Sequence, residues 1–160
     1  MKRHDFLPQI PYGTRDILPQ EAKRKRDIED ALVQLFTAWG YDEVVTPTFE
    51  YLDTVVAGAG NNINADVFKF FDKSNRVLAL RPDMTTPIAR VAATRLKDSH
   101  WPLKLFYLTN VFRLEQAQAG RRCEFYQAGV ELLGIPGPAA DAEVIAVAVA
   151  AMLKAGLNKF

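Results

Sequence analysis

RLEQAQAGRRCEFYQAGVELLG, from Arg113 to Gly134, decides how the rest of the chain is read. Its second half, EFYQAGVELL (Glu124 to Leu133), and the run LKLFYLTNVFRL (Leu103 to Leu114) are rich in aromatic and β-branched residues, which suit a pleated, partly buried surface. Gly120, Arg121 and Arg122 supply a turn between them, so the two runs predict an antiparallel hairpin with a long loop. Side chains on a strand alternate between its two faces. Val111, Arg113 and Glu115 therefore share one face, and Gln127, Gly129 and Glu131 line up likewise on the second strand. Tyr126, Ala128, Val130 and Leu132 form the opposite, apolar face. A floor carrying Arg, Glu and Gln beside a small Gly suits a polar small molecule lying on it. The plainer reading is a solvated outer face crossed by surface ion pairs.

The segments around this hairpin predict helices packed on an antiparallel sheet. Pro19 suits the first turn of a helix, and Ile28, Ala31, Leu32, Leu35, Phe36 and Trp39 then recur at three- and four-residue spacing until Gly40 ends it. The Lys23-Arg24-Lys25-Arg26 cluster on this helix reads as a solvated face more readily than as a phosphate contact. Glu43 to Pro47 reads as a strand whose proline confines it to an edge or a subunit boundary. Val67 to Asp72 and Arg76 to Arg81 predict a hairpin around Lys73-Ser74-Asn75. Asp83 then caps a helix carrying Ile88, Val91, Ala92 and Leu96. A last helix is expected from Asp141 to Lys154, apolar around most of its circumference and so covered on several sides.

Composition narrows the class. With 49% hydrophobic residues, a net charge of +1 and a pI near 7.8, the chain has neither the charge bias of a disordered tail nor the basicity of a nucleic-acid coat. The single cysteine, Cys123, excludes an internal disulfide and a thiolate zinc cluster, and fits a reducing, cytoplasmic compartment. Its loop position suggests exposure, and without a neighbouring His it reads as an inert residue. His4 and His100 form neither a metal spacing nor a triad. No apolar run reaches the roughly 20 residues that span a bilayer, so no membrane is expected.

FRLEQAQAGRRCEFYQAGVELLG resembles motif 2 of the class II aminoacyl-tRNA synthetases in its histidyl form. PYGTRDILP (Pro11 to Pro19) resembles the opening segment of the same proteins. GYDEVVTPTFEYLD (Gly40 to Asp53) resembles motif 1, with Pro47 as its proline. LALRPDMTTPIARVAATRL (Leu78 to Leu96) resembles the segment that holds the amino acid. The resemblance implies an α/β (α+β) class II synthetase-like catalytic core, an antiparallel sheet flanked by helices, with residues 1–160 as the N-terminal portion of a single such domain. It also implies a dimer built through the segment around Pro47.

Two branches of the superfamily are similar to this chain. One is histidyl-tRNA synthetase, and the other is the regulatory subunit of ATP phosphoribosyltransferase, which resembles the synthetase without charging tRNA. After Arg81-Pro82 the chain has Asp83-Met84-Thr85 where synthetases usually have Glu-Gly-Thr, which withdraws a carboxylate by one methylene and places a side chain where backbone could approach a ligand. Synthetases also commonly have His where Tyr126 stands. These features, with the Ala-rich AADAEVIAVAVAAM, resemble the regulatory branch more closely.

That branch implies a non-catalytic subunit with no cofactor, no metal and no tRNA. It implies a short-form ATP phosphoribosyltransferase catalytic subunit as partner, and histidine as a feedback effector. Asp83, Thr85, Gln127 and Glu131 match the cage that binds the histidine amino group in synthetases. Arg113 matches the arginine that contacts the ATP α-phosphate, and Glu115 and Arg121 match the loop around adenine and the outer phosphates. Arg113 is equally readable as a structural brace on the sheet.

Overall fold

The computed structural model describes residues 9–59, 67–114 and 122–160. At its centre, β5 (Leu103–Phe112) and β6 (Glu124–Leu133) form the antiparallel pair expected from the sequence, in register from Leu103 opposite Leu133 to Phe112 opposite Glu124. The first strand stops two residues short of the expected Leu114. On the far edge of β5 lies β1 (Asp42–Glu43), and this pairing is parallel, so the sheet is not wholly antiparallel.

The strand expected over Glu43 to Pro47 is cut short for a physical reason. The Val44 amide still donates to the Phe106 carbonyl, but the Thr46 and Pro47 carbonyls are taken by the buried Arg81 guanidinium instead of a neighbouring strand. The chain re-forms as β2 (Phe49–Tyr51) in a second antiparallel sheet, ordered β2-β4-β3, with β3 (Lys69–Phe71) and β4 (Val77–Leu80) as the expected hairpin. Asn75 turns this hairpin at φ 58°, while the Asp72 carboxylate accepts from the Ser74 and Arg76 amides.

Helix α1 (Pro19–Ala38) starts at its proline and ends before Gly40, whose φ of 78° is left-handed. Its apolar face puts Leu32 and Phe36 against Tyr41, Phe106 and Val147, with the Phe36 and Phe106 ring centroids 5.4 Å apart. Burying side chains of this size stabilises the fold by about 1.5–3 kcal/mol each. Lys23, Arg24 and Arg26 of the basic cluster are exposed as expected, but Lys25 turns inward with its Nζ 3.7 Å from the Tyr126 ring centroid, and Lys25 and Arg26 both pair with Glu29.

Helix α2 (Leu52–Ala59) follows β2 directly and packs on α3 (Thr85–Thr94), with Gly58 letting the two helices approach at Thr86. Helix α4 (Pro138–Lys154) begins three residues earlier than Asp141, because Gly137 at φ 117° feeds Pro138 into the first turn. It ends in a paired cap, the Gly156 amide on the Leu153 carbonyl and the Leu157 amide on that of Met152. Of its apolar residues Val147 is fully buried, whereas Ile145, Val149, Met152 and Leu153 are exposed. Burial on several sides, expected from its composition, is thus absent in this chain. No helix among the described residues is long and apolar enough to cross a membrane.

Candidate functional site: an acceptor-lined floor on the central sheet

The register of β5 and β6 sorts their side chains cleanly. Phe106, Leu108, Val130 and Leu132 face α1 and α4. Leu105, Tyr107, Val111 and Phe125 face α3, where they join Met84, Ile88 and Ala92. Gln127, Gly129 and Glu131 stand opposite Thr109, Tyr107 and Leu105, so they occupy this second face. It is therefore not a purely polar floor. Its lower part is core against α3, and the polar groups gather where α3 begins.

There the structure brings Asp83, Thr85 and Glu131 together, with Gln127 four residues back along β6 on the same face. Thr85, in the first turn of α3, donates its hydroxyl to Glu131 Oε1 at 2.9 Å across the gap between helix and strand. Asp83 accepts the Thr86 amide at 3.1 Å through Oδ1, satisfying a donor at the start of the helix as the sequence suggested. Replacing Asp83 by Ala should cost about 1 kcal/mol, or roughly 2–4 °C in thermal unfolding, and Asp83→Asn should restore most of it. Gln127 Oε1 is enclosed and has no hydrogen-bond donor among the described residues. A buried acceptor without a donor is costly, by about 1–3 kcal/mol.

The electrostatics match this inventory. Burial holds the Glu131 carboxyl above its ordinary value of 4.5; the Thr85 hydrogen bond pulls it back, and the charge of Asp83 pushes it further up. A raised carboxyl contributes stability that is full below its unfolded value and is lost as pH rises through the folded value. Apo stability should therefore fall with rising pH across that window, and Glu131→Gln should remove this component of the melting profile. Binding of an ammonium should run the other way, weakening as pH falls through the same raised value. Calorimetric titration across that range checks the sign.

Arg113 sits at the rim. Its Nε donates to the Pro82 carbonyl at 3.0 Å, and its guanidinium lies over the Phe125 ring at 5.2 Å, so it braces the segment leading into Asp83. Glu115 and Arg121 lie outside the described residues. Met84 does not occupy the floor, contrary to what its place in the sequence suggested: it is 1% exposed, turned into the core, with the Thr46 hydroxyl on its sulfur at 3.8 Å. Cys123 likewise is buried, packed against Gly13, and is not the exposed thiol its loop position suggested.

Two residues that the sequence reading passed over organise the site. Arg81, 3% exposed, donates Nε to the Asn110 carbonyl, Nη1 to the Thr46 and Pro47 carbonyls, and Nη2 to Thr109 and Asn110. It ties the motif 1-like segment to β5 immediately before Pro82 and Asp83. Glu50, 6% exposed, holds Arg90 of α3 through both carboxylate oxygens at 2.9 and 3.0 Å to Nε. A lone Arg or Glu inside an apolar strand was the available signal for both.

Clefts of about 540 and 360 Å³ lie elsewhere. The first is lined by Arg15, Glu21, Lys25, Arg122 and Tyr126 among others, the second by Ile28, Leu32, Leu108 and Tyr126. Neither includes Asp83, Thr85 or Glu131, although Gln127 contributes to the lining of the second. No cluster of His, Cys, Asp and Glu among the described residues could hold a metal.

A mixed sheet backed by α1 and α4, with acceptors gathered at the start of α3, defines a class II aminoacyl-tRNA synthetase-like core. The family described as histidyl-tRNA synthetase matches residues 13–160, and the chain belongs to that family. A relative from Moorella thermoacetica named ATP phosphoribosyltransferase regulatory subunit is 51% identical over 152 residues, covering 95% of this chain and 39% of its own length. One from Methanocaldococcus jannaschii named histidine–tRNA ligase is 43% identical over 150 residues, covering 94% and 36%. A solved structure from Bacillus halodurans, described as an ATP phosphoribosyltransferase regulatory subunit/histidyl-tRNA synthetase, aligns with a TM-score of 0.86 at 43% identity, covering 99% of this chain and 40% of that one. The chain thus spans about two-fifths of the length of the curated relatives it matches.

Proposed function

We propose that the protein is a regulatory subunit of ATP phosphoribosyltransferase, non-catalytic itself, which activates a short-form catalytic subunit and relays feedback from histidine. The observation that carries the histidine part is the enclosed, donorless Gln127 Oε1 on the same floor as the Glu131 and Asp83 carboxylates. A donorless acceptor beside two carboxylates calls for a cationic donor, and an α-ammonium supplies three N–H groups and the compensating charge. The regulatory part is supported by relatives of that name at 44–54% identity. Val45, Phe49 and Tyr51 stand exposed on either side of Pro47, which supports self-association there. The subunit works in the cytoplasm on this reading.

A second reading, histidine activation and tRNA charging, is favoured by the ligase-named relative and by Arg113 at the rim, with Glu115 and Arg121 as the further nucleotide-binding residues. Mixing the full-length protein with a short-form catalytic subunit separates the two. Phosphoribosyl transfer to ATP that appears only in the mixture and is lost on adding histidine supports the first. Histidine-dependent exchange of pyrophosphate into ATP by the protein alone supports the second. Feedback also requires that histidine bind one assembly state more tightly than the other, which titration of the free subunit and the complex measures.

A further inference from the structure

Tyr107 stands on β5 directly opposite Gly129, between the Gln127 and Glu131 positions of β6. It is 5% exposed, and its ring packs in the core beneath Met84 and Ile88. A Cβ added at Gly129 would lie 2.6 Å from Tyr107 Cζ and overlap the hydroxyl, so the phenol crosses β6 through the space a side chain would fill. Gly129 is not at a positive φ, and it is therefore this close approach that accounts for it. Burial and the charges of Glu131 and Asp83 push the phenol up to about 12, so the hydroxyl keeps its proton beside two carboxylates. No described residue hydrogen-bonds this hydroxyl, and unlike Gln127 Oε1 it is not an enclosed atom without a partner.

We propose that Tyr107 is a specificity-determining residue of this floor: its hydroxyl, admitted by Gly129, hydrogen-bonds a heteroatom in the side chain of the bound amino acid. The assignment rests on the amino-acid-binding reading above. The main-chain ammonium is met by Gln127 and the carboxylates, and the hydroxyl then distinguishes a ring that can hydrogen-bond from one of the same shape that cannot. Discrimination built this way is strong, because the analogue leaves a buried polar group unpaired.

The test is calorimetric titration of the wild-type protein and Tyr107→Phe with histidine and with β-(2-thienyl)alanine, a flat five-membered ring without a nitrogen. Tyr107→Phe is expected to weaken histidine about tenfold and to leave the thienyl analogue within twofold, collapsing the preference between them. Equal losses for both ligands, or no loss for either, would overturn the assignment and leave Tyr107 a packing residue. Wild-type protein that binds neither ligand would instead sink the amino-acid reading itself. Gly129→Ala, which displaces the phenol, should reproduce the collapse of preference, and retained preference in that variant also counts against the proposal.

Discussion

Glu131→Gln is expected to weaken histidine binding by about 1.5–3 kcal/mol, roughly ten- to a hundredfold, while leaving the fold intact or slightly firmer at neutral pH. The amide keeps the shape and still accepts from Thr85, so only the charge is withdrawn from the ammonium. The apo protein gains on the other side of the ledger, because ionising this half-buried carboxyl near Asp83 is unfavourable in the absence of a cation. Lost affinity together with lost stability would indicate a structural Glu131. Unchanged affinity in titration calorimetry would remove Glu131 from the site.

Arg81→Met carries the largest expected effect on folding, about 3–5 kcal/mol, or on the order of 10 °C in thermal unfolding. Methionine fills part of the volume but leaves the Thr46, Pro47 and Asn110 carbonyls without their donor in a dry environment. Lysine should not rescue it, since a single ammonium cannot reach three carbonyls on two segments as the planar fork of guanidinium does. A melting temperature within a few degrees of wild type for Arg81→Met would show that water replaces these bonds freely.

The contrast between these residues shows what could be read without coordinates. Alternation over Leu103 to Leu133 placed Gln127, Gly129 and Glu131 on one face because period two is a local property of extended chain. The helix from Pro19 and the hairpin around Asn75 were legible for the same reason, through turn and cap residues acting over a few positions. The truncated strand at Thr46 was not, since its hydrogen bonds go to a side chain 35 residues away. Met84 was misplaced because sequence gives a residue's neighbourhood but not the direction of its side chain at a helix start. Tyr107 was hidden in an apolar run, where an aromatic reads as core; that Gly129 opens a path for its hydroxyl depends on the exact cross-strand partner.

Asp83 finally lives under two masters. One of its oxygens is committed to the Thr86 amide, while its charge acts on Glu131 and Tyr107 across the floor. A glutamate in its place would reach further over the bound molecule, but its longer arm no longer closes the short ring with an amide three residues on, a geometry favoured by Asp, Asn, Ser and Thr. Position 83 is thus a point where reach toward a ligand and a firm start to α3 are exchanged, and in this chain the aspartate settles the exchange in favour of the helix.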